Sequence, residues 1–217
     1  MARHEDLQRV LDSGIVAIIR APSGELLVDV AKALYEGGID VIEVTFTVPG
    51  ILDIIADLHK ALGDKILLGA GTVLDTETAR AAMLAGAEFI VSPIVDCDVI
   101  KMCNQYDKMI MPGALTPTEI ATAWSAGADM VKVFPAAAVG GPSYLQAIHG
   151  PLPQIKLLPT GGVDLTTIHD FVKAGASAVG LGSSLVTKEL VANGDMDGIR
   201  DLAAKYVAAM QAARADC

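Results

Sequence analysis

Two ionisable residues sit inside runs that are otherwise apolar and β-branched, where burial makes a charge costly. Lys132 lies in Met130-Val131-Lys132-Val133-Phe134-Pro135, and Glu43 lies in Val41-Ile42-Glu43-Val44-Thr45-Phe46. If each run is a strand, side chains alternate between its faces, so Val131 and Val133 share one face and Lys132 takes the other. An amine shut away from water is disfavoured as the ammonium, and its neutral form attacks a carbonyl to make a Schiff base. A carboxylate at the same level can shuttle protons for that condensation and for breaking a carbon–carbon bond. The alternative is a buried ion pair with a structural role alone, and such pairs are weak sources of stability. Two inward ionisable groups on one layer favour chemistry.

Other candidates stand at the ends of similar runs. Pro159-Thr160-Gly161-Gly162 and Gly180-Leu181-Gly182-Ser183-Ser184 close the seventh and eighth runs. Glycine lets backbone approach an anion closely, and Ser183 or Ser184 adds a hydroxyl donor, so these ends suit a phosphate. Either stretch alone could be an ordinary turn. Arg20 ends the first run and offers a fixed cation for a carboxylate or phosphate, unless it only closes a strand at the surface. Gly69-Ala70-Gly71-Thr72 and Ser92-Pro93 would shape the mouth of the site. The histidines His4, His59, His149 and His169 have no ligand spacing, so no metal site is expected. Trp124 is expected to pack.

Eight short apolar runs must position these groups: 15–20, 41–46, 66–73, 89–93, 109–114, 130–135, 155–159 and 178–182. Their starts lie about 20 to 26 residues apart, the length of one strand, one helix and two short loops. Continuous apolar character marks parallel strands covered on both faces. Between them, Thr116-Pro117-Thr118-Glu119 reads as a capping box, and Asp75 and Asp164 as caps after runs three and seven. Glu36-Gly37-Gly38, Ala85-Gly86-Ala87, Ala126-Gly127-Ala128 and Ala174-Gly175-Ala176 end helices before the even-numbered runs, a weak repeat of two units. The count predicts one α/β domain over residues 1–217, a single (β/α)8 TIM barrel with a short N-terminal helix. A doubly wound open sheet is the competitor, but no G-x-G-x-x-G follows the first run.

Composition narrows the classes. Of 217 residues 52% are hydrophobic and mean hydropathy is +0.47, yet no apolar stretch approaches the roughly 20 residues of a spanning helix. With no secretory pattern at the N-terminus, the expected location is the cytoplasm. A net charge of -10 without a basic run argues against nucleic-acid and membrane partners. Cys97, Cys103 and Cys217 form no C-x-x-C pair and read as incidental thiols of a reducing compartment.

Taken in order, Glu43-Val44-Thr45-Phe46-Thr47, Gly69-Ala70-Gly71-Thr72-Val73, Ser92-Pro93, Pro112-Gly113, Lys132-Val133-Phe134-Pro135 and Pro159-Thr160-Gly161-Gly162 resemble the class I 2-keto-3-deoxy-6-phosphogluconate (KDPG) and 4-hydroxy-2-oxoglutarate (KHG) aldolases. The resemblance runs from about residue 10 to about residue 187. It implies a Schiff-base lysine at Lys132 and an acid/base glutamate at Glu43, with no cofactor and no metal. Thr72 and Pro93 would line the pyruvate portion; Gly161, Gly162 and Ser183, with Gly182 beside it, would hold phosphate. It also implies a homotrimer and a 2-keto acid substrate, phosphorylated in the case of KDPG. Many members carry an arginine where this chain has Thr47; here Arg20 would hold the substrate carboxylate instead. Ile94 after Ser92-Pro93 also departs from the pattern. The rivals are an aldolase for the 4-epimer, 2-keto-3-deoxy-6-phosphogalactonate, and a phosphate-binding barrel that decarboxylates or isomerises. The last would need a D-x-K-x-x-D pattern that Asp129-Met130-Val131-Lys132 does not match. A non-catalytic barrel would leave Lys132 and Glu43 without a purpose.

Overall fold

The computed structural model describes residues 2–20 and 24–216, so Cys217 lies outside the described residues. The chain opens with α1 (Ala2–Ser13) and β1 (Ile15–Ile19), then α2 (Gly24–Glu36), β2 (Val41–Thr45), α3 (Ile51–Leu62) and β3 (Leu67–Gly71). Next come α4 (Thr76–Ala85), β4 (Phe89–Val91), α5 (Cys97–Gln105), β5 (Met109–Met111), β6 (Gly113–Ala114), α6 (Pro117–Ser125) and β7 (Val131–Val133). The last third holds α7 (Pro142–His149), β8 (Leu157–Pro159), α8 (Ile168–Lys173), β9 (Val179–Leu181), α9 (Lys188–Asn193) and α10 (Met196–Ala215). No described helix is long and apolar enough to cross a membrane.

Every ladder is parallel, which a helix between successive strands permits. The strands form a six-membered sheet, β5-β4-β3-β2-β1-β9, and a three-membered sheet, β6-β7-β8. Single bridges, Leu157 to Ala176 and Thr160 to Gly180, link β8 to the chain around β9. The result is a curled parallel sheet with helices outside. The run 109–114, expected as one strand, is divided at Pro112. Proline has no N–H to give to a ladder, so β5 pairs with β4 and β6 with β7, while the Pro112 carbonyl accepts from Lys132 N at 2.9 Å.

The alternation expected of strands separates two apolar clusters. Ile42, Val44, Val131 and Val133 join the cluster that packs against the helices. Val16, Val41, Leu67, Phe89, Met109, Met130 and Leu158 form a second cluster inside the curl, closed below by Leu7, Val10 and Leu11 of α1.

The caps follow their expected chemistry. Thr116 and Glu119 form the reciprocal capping box with Pro117 in the first turn, and Asp75 accepts from Thr78 N at 2.6 Å. Gly38, Gly86, Gly127 and Gly175 all have positive φ, between 92° and 117°, a conformation that ends a helix at little cost only for glycine. Asp164 sits earlier than a helix cap: it accepts from Thr166 N and Thr167 N in the turn before α8. Trp124 is half-buried against the core, as expected, and Lys156 Nζ lies 5.5 Å from its ring centre.

Candidate active site

On β7, Lys132 faces the inside of the curl. Its neighbours Val131 and Val133 belong to the helix-facing cluster, whereas Leu158, its register partner on β8, belongs to the inner one. The residue is 7% exposed, and Nζ lies 5.5 Å from the centre of the Phe134 ring. Gly113, its partner on β6, carries no side chain because a Cβ would overlap the backbone of Pro93.

Glu43 takes the same inner face of β2 and is 1% exposed. Neither of its carboxylate oxygens has a hydrogen-bond partner, so Lys132 and Glu43 form no direct ion pair. Burial without donors raises the Glu43 carboxyl above its ordinary range; the charges of Lys132 and then Arg20 oppose that rise but do not cancel it. The space for this carboxylate comes from Gly71 on the neighbouring strand, where a Cβ would overlap it.

Above these two groups lies a cavity of about 420 Å³ whose lining includes Lys132. Arg20, Thr47, Thr72 and Pro93 contribute from the ends of β1 to β4, and Gly161, Gly162, Gly182 and Ser183 from the ends of β8 and β9. The structure therefore gathers the predicted residues at one end of the sheet, with Glu43 buried below the lining. Arg20 Nε donates to Thr45 Oγ1 at 3.2 Å, and that hydroxyl lies 2.8 Å from Thr47 Oγ1. Thr72 holds φ at 61°; a β-branched residue there is strained, and such strain gathers at ligand sites. Gly161 and Gly162, at φ 88° and 82°, form a left-handed pair that side-chain-bearing residues rarely adopt.

Several lining residues escaped the sequence reading. Phe134 and Thr160 lie two residues beyond Lys132 and Leu158, on the same faces, so alternation was the available signal. Asp164 also lines the cavity, and its carboxyl stays below the usual range because the Thr166 hydroxyl and the Thr166 and Thr167 N–H groups donate to it. Ser184, which the sequence offered with Ser183 as a hydroxyl donor, lines it too, but its hydroxyl donates to Val163 O at 2.8 Å. Ile94 is 48% exposed and stands outside the lining. Among the described residues no three His, Cys, Asp or Glu side chains group as metal ligands.

Comparison with known proteins follows the same lines. The family model described as KDPG and KHG aldolase matches residues 7–202. The 2-dehydro-3-deoxy-phosphogluconate aldolase of Treponema pallidum is 36% identical over 91% of this chain and 92% of its own length. The 2-dehydro-3-deoxy-6-phosphogalactonate aldolase of Escherichia coli K12 is 35% identical over 79% of this chain and 83% of its own. The crystal structure of KDPG aldolase from Legionella pneumophila, with pyruvate captured at low pH as a covalent carbinolamine intermediate, superposes with a TM-score of 0.86. It is 30% identical and covers 92% of this chain and 96% of its own.

Proposed function

Because this chain belongs to the KDPG and KHG aldolase family, we propose that it is a Schiff-base aldolase in which Lys132 is the nucleophile and Glu43 the proton carrier. Its substrate is KDPG, cleaved to pyruvate and glyceraldehyde 3-phosphate, or KHG, cleaved to pyruvate and glyoxylate. The observation that carries this reading is the pair itself: a buried amine and a buried, unbonded carboxylate on one inner face beneath a cavity.

The chemistry follows from that arrangement. Neutral Lys132 Nζ attacks C2 of the keto acid to give a carbinolamine. Glu43, whose raised proton affinity keeps it protonated further up in pH than an ordinary carboxylic acid, protonates the departing hydroxyl, and water leaves as the iminium forms. Glu43, now a base, takes the C4 hydroxyl proton directly or through water. The C3–C4 bond then breaks, its electrons enter the iminium, and the aldehyde departs. Protonation of the enamine at C3 and hydrolysis release pyruvate and restore the amine. Arg20, steadied by Thr45, receives the substrate carboxylate in place of the arginine absent at Thr47. Thr72 and Pro93 border the pyruvate half. The backbone of Gly161, Gly162 and Gly182 and the hydroxyl of Ser183 receive the phosphate.

We further infer a closed eight-stranded barrel in which β5 and β6 are two halves of one strand, a homotrimeric assembly, and residence in the cytoplasm. In support of closure, both gaps between the sheets are bridged, by Pro112 and by the Thr160 to Gly180 contact. Incubation with pyruvate and borohydride followed by peptide mapping tests the central claim: a reduced pyruvate adduct is expected on Lys132, and an unmodified Lys132 would overturn it. Specificity constants for KDPG, its galactonate epimer and KHG then rank the substrates.

A further inference from the structure

A second open space adjoins the reactive cavity. Beyond Arg20 and Ser183 lies a chamber of about 520 Å³, and Ile18, Arg20, Gly182 and Ser183 line both spaces. At Gly182 a Cβ would meet no atom of the described residues within 4 Å beyond its own chain neighbours, so among these residues nothing closes the boundary between the two at that point. The far walls are Leu26 on α2, Val186, and Val191 and Ala192 on α9. Lys188, also on this wall, is exposed and has no hydrogen-bond or ion-pair partner among the described residues. Apolar walls between two cations, Arg20 and Lys188, complement a chain that is apolar along its length and anionic at its end.

We propose that this chamber receives the acceptor half of a longer 4-hydroxy-2-keto acid, with an apolar spacer against Leu26, Val186 and Val191 and a terminal anion at Lys188. The inference rests on the aldolase reading and extends its substrate class from short anionic acceptors to longer aldehydes whose terminal carboxylate is separated from the reacting carbon by an apolar spacer. In the synthetic direction the enamine carbon of pyruvate on Lys132 bonds to the aldehyde carbon, and the aldehyde oxygen takes a proton to become the C4 hydroxyl. Water then hydrolyses the iminium, which frees the Lys132 amine and the product. Arg20 lies on the shared wall, so it meets the reacting keto acid on one side and the entering chain on the other.

The test is a comparison of kcat/KM for addition of pyruvate to glyoxylate, succinic semialdehyde, adipic semialdehyde and uncharged hexanal. The wild-type enzyme is expected to use adipic semialdehyde and to prefer it to hexanal. Ala192→Trp, at an exposed position that tolerates bulk, should fill the chamber and lower kcat/KM for adipic semialdehyde on the order of tenfold while leaving glyoxylate unchanged. Lys188→Met should reduce the preference for adipic semialdehyde over hexanal about threefold, the modest effect of one exposed charge. Failure to use adipic semialdehyde, parallel losses for glyoxylate and adipic semialdehyde in Ala192→Trp, or an unmoved preference in Lys188→Met would overturn the chamber. A pyruvate–borohydride adduct on Lys132 in the same preparation separates the two claims. With the adduct present, a negative acceptor series sinks the chamber alone; without it, the aldolase reading falls as well.

Discussion

The inner face of the curled sheet changes character from one end to the other, and the change can be followed strand by strand. Inward positions run Val41, Glu43, Thr45 on β2; Met130, Lys132, Phe134 along β7; and Leu158, Thr160 along β8. The lower positions build a dry cluster sealed by α1. The upper ones carry Glu43 and Lys132, with glycines where β3 and β9 would otherwise crowd their neighbours. The inward side chains of the lower half are apolar and packed against one another. The upper half gives up packing to hold a carboxylate without hydrogen bonds. One period-two pattern thus produces both a core and the floor of a cavity; on β2, β7 and β8 the change comes within two residues, whereas both inward positions of β4 and of β5 stay in the core.

If the division is real, upper-half substitutions remove activity without unfolding, and lower-half ones do the reverse. The largest effect is expected for Lys132→Met, a loss of turnover on the order of 10⁵-fold, read in a pyruvate-coupled assay together with loss of the borohydride adduct. It should also raise the proton affinity of Glu43 further, since Lys132 is the largest charge opposing its rise; carbon-13 titration of that carboxyl checks this. Glu43→Gln comes next, with turnover lower by about 10²- to 10⁴-fold. Its stability effect has the opposite sign. A carboxyl whose affinity is raised by folding contributes stability below its ordinary value, 4.5, and loses it as pH climbs through the folded-state value. At pH 8 Gln escapes the cost of a buried charge and the variant should be more stable by about 1–3 kcal/mol; at pH 4 the gain should vanish. Denaturant melts at the two pH values decide it.

Phe89→Ala breaks the comparison from below. Phe89 is fully buried in the inner cluster, its ring against the backbone of Gly69. Truncation should cost about 3–5 kcal/mol in denaturant unfolding and leave kcat per folded molecule nearly unchanged. A comparable loss of kcat would mean that the lower cluster sets the geometry above it.

Alternation made Lys132 and Glu43 legible, because a lone charge flanked by β-branched residues declares its face without any tertiary information. Local chemistry did the same for the Thr116 capping box and for the glycines that end helices. Features that depend on a neighbour across the sheet were not legible. Gly71 reads as one small residue among several until its strand is set beside β2 and its missing Cβ makes room for Glu43. Pro112 looked like part of one apolar run, and only the ladders reveal that it splits the strand between two sheets. The Arg20–Thr45–Thr47 relay links positions on two strands that sequence spacing does not connect.

The smallest expected effect probes the bottom of the molecule, where α1 closes the curl. Asp6 on α1 is half-buried, and its carboxyl is pushed up from 3.8 to about 6, first by burial and then by the charge of Glu88. Lys108 and Arg9 work against that shift, while Glu5 adds to it. Glu88 is raised as well, by burial, with Lys108, His59 and Arg9 opposing. The two carboxyls therefore resist ionising together, and ionisation costs more in the folded chain than in the unfolded one. Stability from Asp6 is complete below pH 3.8 and falls as pH rises through about 6. Asp6→Asn should consequently match the wild type at pH 3.5 and exceed it at pH 8, by less than the Glu43→Gln gain because Asp6 is partly solvated. Turnover at saturating substrate should not change, since the substitution lies at the end of the strands opposite the cavity. A thermal melt of the two proteins across that pH range reads the difference; a wild type more stable than Asp6→Asn at pH 8 would show instead that the ionised carboxylate anchors α1 through Arg9 and Lys108.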